Sequence, residues 1–354
     1  MASIYADQFD VLVTTTLDKV RPTLTDQISN ENVLLAWLNM KSRITVDGGT
    51  VIRRPLLFAF NDTVGSYSGY DLIDVTPQEG LGWVEYPWAQ HAGSVTISGE
   101  EVKKNSGSAQ LINLLQAKMD QLKLSIADDF NAMLYGSGNG NGAKDFIGLM
   151  GIVMPATTNA KQFGSADTGV ALPTGASTTD THLGGISFAT YSWWASNSIT
   201  TAVDLTTFDG VDSLNNLYNQ IRVDRSKVDL ELTTQSNFEA YEALAVPNIR
   251  FQSLKAADLG FETIAHKTAE VVFDPDVPSG GLWHDGITQI AGGGAWFMLN
   301  SDRLEFVQHS DCWLSPTEFV RPYNQDAKAA LILSMGNLIT DSRRSHGLII
   351  NTVV

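Results

Sequence analysis

The chain has 354 residues, 43% hydrophobic and 18% charged, enough to bury one large core or two. Its formal net charge of −16 argues against tight nonspecific DNA binding, which needs clustered Lys and Arg. A single cysteine, Cys312, excludes an internal disulfide and a cysteine-rich metal site, and fits a reducing, intracellular origin.

Residues 1–45 read as an arm. Charges are nearly balanced, and the threonine-rich stretch with Pro22 suits an extended segment lying on another surface. A short helix is predicted over Glu31–Met40, capped by Asn30, with Val33, Leu34, Trp37 and Leu38 apolar. Met1–Val13 has no basic region ahead of an apolar run, so it is not a secretory signal. No apolar stretch approaches the roughly 18 residues of a membrane span, and no membrane association is expected.

Residues 46–101 read as β-rich. Leu56, Phe58 and Phe60 interleave with Leu57 and Ala59, and Val95 and Ile97 alternate with Ser94, Thr96 and Ser98. Gly65, Gly69, Pro77, Gly80 and Gly82 mark a loop between them, and Trp83, Tyr86 and Trp88 decorate the return. The pattern predicts a projecting β-hairpin whose aromatics need a partner, which could be another subunit.

A long amphipathic helix follows, Ser106–Tyr135, with Ser106 or Ser108 as cap. Leu111, Leu115, Met119, Leu122, Ile126, Phe130 and Met133 fall on one stripe, and Gly136 ends the run. At about 1.5 Å per residue it is about 40 Å long, a spine for the rest. The glycine-rich Gly136–Gly142 lacks the Gly-Lys-Ser/Thr ending of a phosphate loop and follows no strand, so it reads as a helix exit.

The middle of the chain reads as α/β. It has helices at Leu214–Gln220 and Ser236–Leu244, and strands at Asp229–Thr233, Val271–Phe273 and Ala295–Leu299. A turn spans Asp274–Gly281. Leu304–Val354 is again β-rich and is expected to return to cover the spine helix.

No catalytic, cofactor-binding or metal residue is assigned, and no cofactor is expected. The sequence has no Gly-x-Ser-x-Gly, His-Glu-x-x-His, Cys-x-x-Cys, Walker or dinucleotide motif. His309 and Cys312 face opposite sides of a strand, so Cys312 reads as structural. Asp274, Asp276, His284 and Asp285 contain cation-ligand chemistry, but their Pro and Gly neighbours read first as a turn. The Trp193-Trp194 pair reads as core or subunit contact.

The order of these parts resembles the tailed-phage major capsid proteins, of Hong Kong 97-like fold. Gly48-Gly49-Thr-Val-Ile52 with Pro55–Phe60 resembles the entry to their extended hairpin, the E-loop; Ala92–Gly99 and Asn105-Ser-Gly-Ser108 resemble its return. Tyr135-Gly-Ser-Gly138 with Ile147-Gly-Leu-Met-Gly-Ile152 is similar to the spine-helix exit, and Leu183-Gly-Gly-Ile186 with Trp193-Trp194 to the start of the axial domain. Arg321-Pro-Tyr-Asn-Gln-Asp326, Gly336 and Arg343-Arg344 resemble the closing strands.

The resemblance implies an α+β chain with an N-terminal arm (1–45), an E-loop (46–104), a peripheral domain with the spine helix (105–150), an inserted α/β axial domain (151–300) and returning strands (301–354). It implies a non-enzymatic virion protein, assembled in the host cytoplasm. Its hexamers and pentamers would form an icosahedral shell around packaged double-stranded DNA. Expected partners are neighbouring capsomers and separate scaffolding, portal and cement proteins. DNA contact is expected to be weak and nonspecific, since acidic groups repel phosphate. Only about forty residues precede the hairpin, so scaffolding is expected from a separate protein. A nanocompartment shell, or another virion protein of the same fold, is the alternative; an α/β enzyme is a third reading, disfavoured by the missing catalytic constellation.

Some family members lock their shells with a hairpin lysine, and this chain has no lysine between Lys41 and Lys103. The hairpin carries two arginines against eight carboxylates, a net of −6. Noncovalent docking is therefore expected. The contact candidates are Trp83, Tyr86, Trp88, Arg53, Arg54, Arg343 and Arg344, with Arg43, Lys118 and Lys123 as further basic partners.

Overall fold

The computed structural model describes residues 32–104, 114–138, 140–153, 182–187, 191–199, 201–222, 227–245, 263–279, 281–282, 289–290, 294–317, 320–321, 325–350 and 352–353. The first elements are α1 (Val33–Lys41), β1 (Arg43–Val46), β2 (Ile52–Leu57), β3 (Leu81–Tyr86), β4 (Ala89–Ser98), α2 (Gly99–Lys104), the spine helix α3 (Leu114–Tyr135) and α4 (Leu149–Val153). The middle holds β5 (His182–Leu183), β6 (Ile186–Ser187), β7 (Asn197–Ile199), β8 (Val203–Asp204), α5 (Phe208–Ile221), β9 (Leu230–Thr233), α6 (Gln235–Ala245), β10 (Ile264–His266) and β11 (Ala269–Phe273). Then come β12 (Gly281–Leu282), β13 (Gln289–Ile290), β14 (Trp296–Leu299), β15 (Leu304–His309), β16 (Ser315–Pro316), β17 (Ala327–Thr340), β18 (Gly347–Ile349) and β19 (Thr352–Val353). The fold is α+β, in two compact units. One holds the described residues within 91–130 and 311–334; the other holds those within 31–90, 131–310 and 335–354.

In the larger unit a six-stranded sheet runs β10-β11-β9-β14-β18-β7. Strands β9 and β14 are buried at every residue, as expected of inner strands covered on both faces. Helix α5 buries Leu214, Leu217, Tyr218 and Ile221, an i, i+3, i+4, i+7 stripe. These join Tyr241 of α6, Val271, Trp296, Met298 and Ile349 in one core. Gly347 lets α5 approach: a Cβ there would stand 2.2 Å from Ile221 Cδ1. A second sheet pairs β1 parallel to β15, and β15 antiparallel to the end of β17. Helix α1 buries Val33, Leu34, Trp37 and Leu38.

Buried polar groups tie this unit together. The Asp274 carboxylate accepts hydrogen bonds from Leu34 N, Asn131 Nδ2, Tyr135 Oη and Asp276 N. Burial raises its carboxyl above the usual range, although those bonds pull the other way. The turn at Asp274 and Asp276 is thus a hydrogen-bonded hub; His284 and Asp285 lie outside the described residues. Among the described residues, no group of three His, Cys, Asp or Glu is placed to hold a metal.

His346 is fully buried; its Nδ1 accepts from Asn300 N at 3.3 Å, and its Nε2 lies 3.2 Å from Thr340 Oγ1. Burial brings its pKa down to about 4. The unfolded ring takes a proton near 6.5 and the folded one resists until about 4, so stability falls as pH drops through that window. We expect a loss on the order of 3 kcal/mol from this residue between pH 7 and pH 4. Urea titrations of wild type and His346→Gln should differ in pH slope by that amount; parallel slopes would refute the assignment.

In the smaller unit β4 and β16 pair with the first half of β17. Helix α3 lies on β4 at Gly93, where a Cβ would meet Leu122 Cδ1 at 2.7 Å and Ile126 Cδ1 at 3.0 Å. A capping box opens α2: Ser98 Oγ accepts from Glu101 N at 3.1 Å, and Glu101 Oε2 from Ser98 N at 3.0 Å. Lys118 then pairs with Glu101 at 2.9 Å.

Two expectations change. The strand at Val95 and Ile97 is not the return of the hairpin. It lies in β4, which pairs with β17, and the partner of β2 is β3. Alternation places a strand's faces but does not choose its neighbour. The spine stripe is also uneven. Ile126 and Phe130 are buried, Met119, Leu122 and Met133 are half-buried, and Asn131, Leu134 and Tyr135 are buried as well. Leu111 and the Leu115 side chain lie outside the described residues. We therefore expect Leu134→Ala to cost about 2–5 kcal/mol, with Leu122→Ala costing less and Lys123→Ala little. Thermal melts of the three variants would show it, and equal effects would contradict the burial.

Candidate intersubunit surface

The β2–β3 ribbon is held at its root and bare at its tip. The strands pair from Ile52↔Tyr86 to Leu57↔Leu81. Tyr86 donates to Thr340 O at 2.8 Å, and Glu85 N donates to Gly184 O at 3.0 Å. Gly184 sits at φ 62°, and a Cβ there would fall 1.9 Å from Val84 Cγ2, so only glycine permits this approach. Arg54 pairs with Glu305 at 2.6 Å, and Phe58 stacks on Trp193 with centroids 5.8 Å apart.

Beyond Phe58 the loop is stabilised locally. Asn61 Oδ1 accepts from Thr63 N at 2.9 Å, Asp71 Oδ2 from Ser68 N at 2.8 Å, and Asp74 Oδ1 from Thr76 N at 2.9 Å. The Thr76 hydroxyl, then its amide, holds the Asp74 carboxyl below its usual range. With the polar groups turned on the loop's own backbone, its apolar side chains face solvent. Tyr70 is 104% exposed, Leu72 100%, Phe60 91% and Val75 87%. Val64, Tyr67, Ile73, Leu81 and Trp83 are exposed too. So dense an apolar display is more than the scattered apolar residues an ordinary subunit surface leaves in water.

The structure sorts the sequence candidates. Trp83 and Arg53 are exposed, with the Arg53 guanidinium 5.9 Å from the Trp83 ring and paired with Glu85 at 2.7 Å. Arg344 is exposed. Trp88 is half-buried, donating Nε1–H to Gly49 O at 2.8 Å and lying edge-on to His309. Arg54 is turned to Glu305. Tyr86 and Arg343 are fully buried and serve the subunit's own core, which removes them as contact residues. Sequence reading missed Tyr70, Leu72 and Val75 because glycine and proline spacing marked their stretch as loop. The available signal was a run of large apolar residues lacking strand or helix period.

No family model and no curated relative matches the chain. Solved structures do. A capsid chain of cyanophage A-1(L) aligns with TM-score 0.66 at 15% identity, covering 95% of this chain and 97% of that one. The encapsulin of the holo-SrpI complex from Synechococcus elongatus aligns with TM-score 0.60 at 10% identity, covering 97% and 95%. A capsid chain of a native GTA particle aligns with TM-score 0.54 at 12% identity, covering 96% of each. The chain has the Hong Kong 97-like capsid fold.

Proposed function

We propose that this chain is the major capsid protein of a tailed bacteriophage. It assembles through hexamers and pentamers into an icosahedral shell around packaged double-stranded DNA, in the host cytoplasm, and resides in the virion. The observation that carries this reading is the bare apolar tip of the β2–β3 ribbon on a capsid fold. Its natural cover is a second copy of the chain. Within this reading Trp83, Arg53 and Arg344 remain contact candidates, residues 105–150 belong to the peripheral domain and 151–300 to the axial domain. The net charge of −16 supports a lining that does not grip DNA.

A nanocompartment shell is the second reading, supported by the encapsulin likeness. Negative-stain microscopy of the overexpressed protein tests both: closed particles are expected, and a dispersed monomer at high concentration would refute shell formation. Nuclease-protected double-stranded DNA in particles from the native source separates the first reading from the second.

The ribbon offers no lysine for a covalent lock, so assembled particles should dissolve to one monomer band in hot detergent without reductant. A ladder of oligomers surviving reductant would overturn the noncovalent reading.

A further inference from the structure

We propose that Asn141 is a self-modifying site, converting without an enzyme to aspartate and isoaspartate through a cyclic imide with Gly142. This stands independently of the shell reading. The reaction needs an asparagine followed by a residue without a side chain, a free side-chain amide and room for the ring to close. Asn141-Gly142 supplies the pair. Both residues are exposed, and a Cβ on Gly142 would meet nothing within 4 Å. Among the described residues, no hydrogen bond engages the Asn141 side chain.

The other described asparagines differ. Asn131 is buried on Asp274 and Asp276. Asn61 uses Oδ1 to hold Thr63 and precedes Asp62. Asn197 donates to Arg344 O and precedes Ser198.

Asn141 stands at φ 50°, ψ 36° and Gly142 at φ 72°, ψ 40°. Both lie in the left-handed region, which glycine and asparagine visit more readily than other residues. The Gly142 amide nitrogen, losing its proton to base, bonds to Asn141 Cγ, and the side-chain nitrogen leaves as ammonia. One water then opens either imide carbonyl. Opening at the original backbone carbonyl gives isoaspartate, whose backbone is longer by one methylene; opening at the side-chain carbonyl gives aspartate. The balance is one water in and one ammonia out, with no redox partner. Each event adds a negative charge just past the end of the spine helix.

The test is incubation of the folded full-length chain in warm, mildly alkaline buffer, followed by peptide mapping with fragment-ion assignment. Conversion at Asn141 should run many-fold faster than at Asn61 or Asn197. Gly142→Ala should slow it many-fold, and Asn141→Gln should abolish the signal at this position while circular dichroism stays native. Retention of the Asn141 amide while Asn61 converts, a signal confined to Asn139, or an unchanged rate in Gly142→Ala would each overturn the proposal.

Discussion

Replacing Tyr70 and Leu72 together with aspartate should leave a folded subunit that no longer closes shells. Both side chains are wholly exposed, so the fold loses no packing and its stability should move by no more than about 0.5 kcal/mol. Assembly is different. Covering a large apolar side chain is worth about 1.5–3 kcal/mol, and every 1.4 kcal/mol is about tenfold in an association constant. Losing two such anchors would weaken each contact by two to four orders of magnitude. Aspartate adds a further penalty, because a carboxylate forced into an apolar seat must shed its water. A closed shell repeats the contact in every subunit, so the defect compounds. Sedimentation and microscopy read assembly while a thermal melt reads the fold. Normal particles from the double variant would show that the ribbon tip is not a contact. Deleting residues 59–79 should have the same effect, since that cut stops short of β3, which Leu81 opens.

The plan of the chain was legible wherever one element buries one stripe. Helix α5 shows its stripe in the spacing of Leu214, Leu217, Tyr218 and Ile221, and β14 announces itself as an uninterrupted apolar run. Strand β3 was hidden because Gly82 lies inside it and Gly80 beside it, so its stretch read as loop. The alternation of β4 was plain, but its partner was not, since pairing is decided by residues more than two hundred positions away. The Asp274 hub was invisible for the same reason: Leu34 and Asn131 reach it across 240 and 143 positions. On the ribbon, composition drew attention to the aromatics of the return strand, Trp83, Tyr86 and Trp88. The aromatics nearest the root, Tyr86 and Trp88, are used inside the subunit, and the bare ones lie at the tip.

Arg343 and Arg344 put that limit in its sharpest form, and Arg343→Ala should cost about 3–5 kcal/mol where Arg344→Ala moves the fold by no more than about 0.5. The two are adjacent in sequence and identical in chemistry. A tight turn at Arg343–Ser345 sends one side chain inward and the other to solvent. The Arg343 guanidinium is fully buried; its Nε donates to Ile152 O at 2.7 Å and one terminal nitrogen to Trp194 O at 3.3 Å. Burial pulls its pKa down to about 10, which leaves it a cation at neutral pH. Its fork thus joins the end of α4, the Trp193-Trp194 turn and the chain entering β18. Alanine would open a large cavity and strip two buried carbonyls of their donor, and each loss is costly where water cannot enter. Arg343→Lys should recover only part of the stability, because a single ammonium cannot reproduce the spread of a planar fork. Urea unfolding of the three variants checks the order Arg344→Ala, Arg343→Lys, Arg343→Ala in rising cost. Equal costs for the two alanine variants would mean that Arg343 is not the internal tie described.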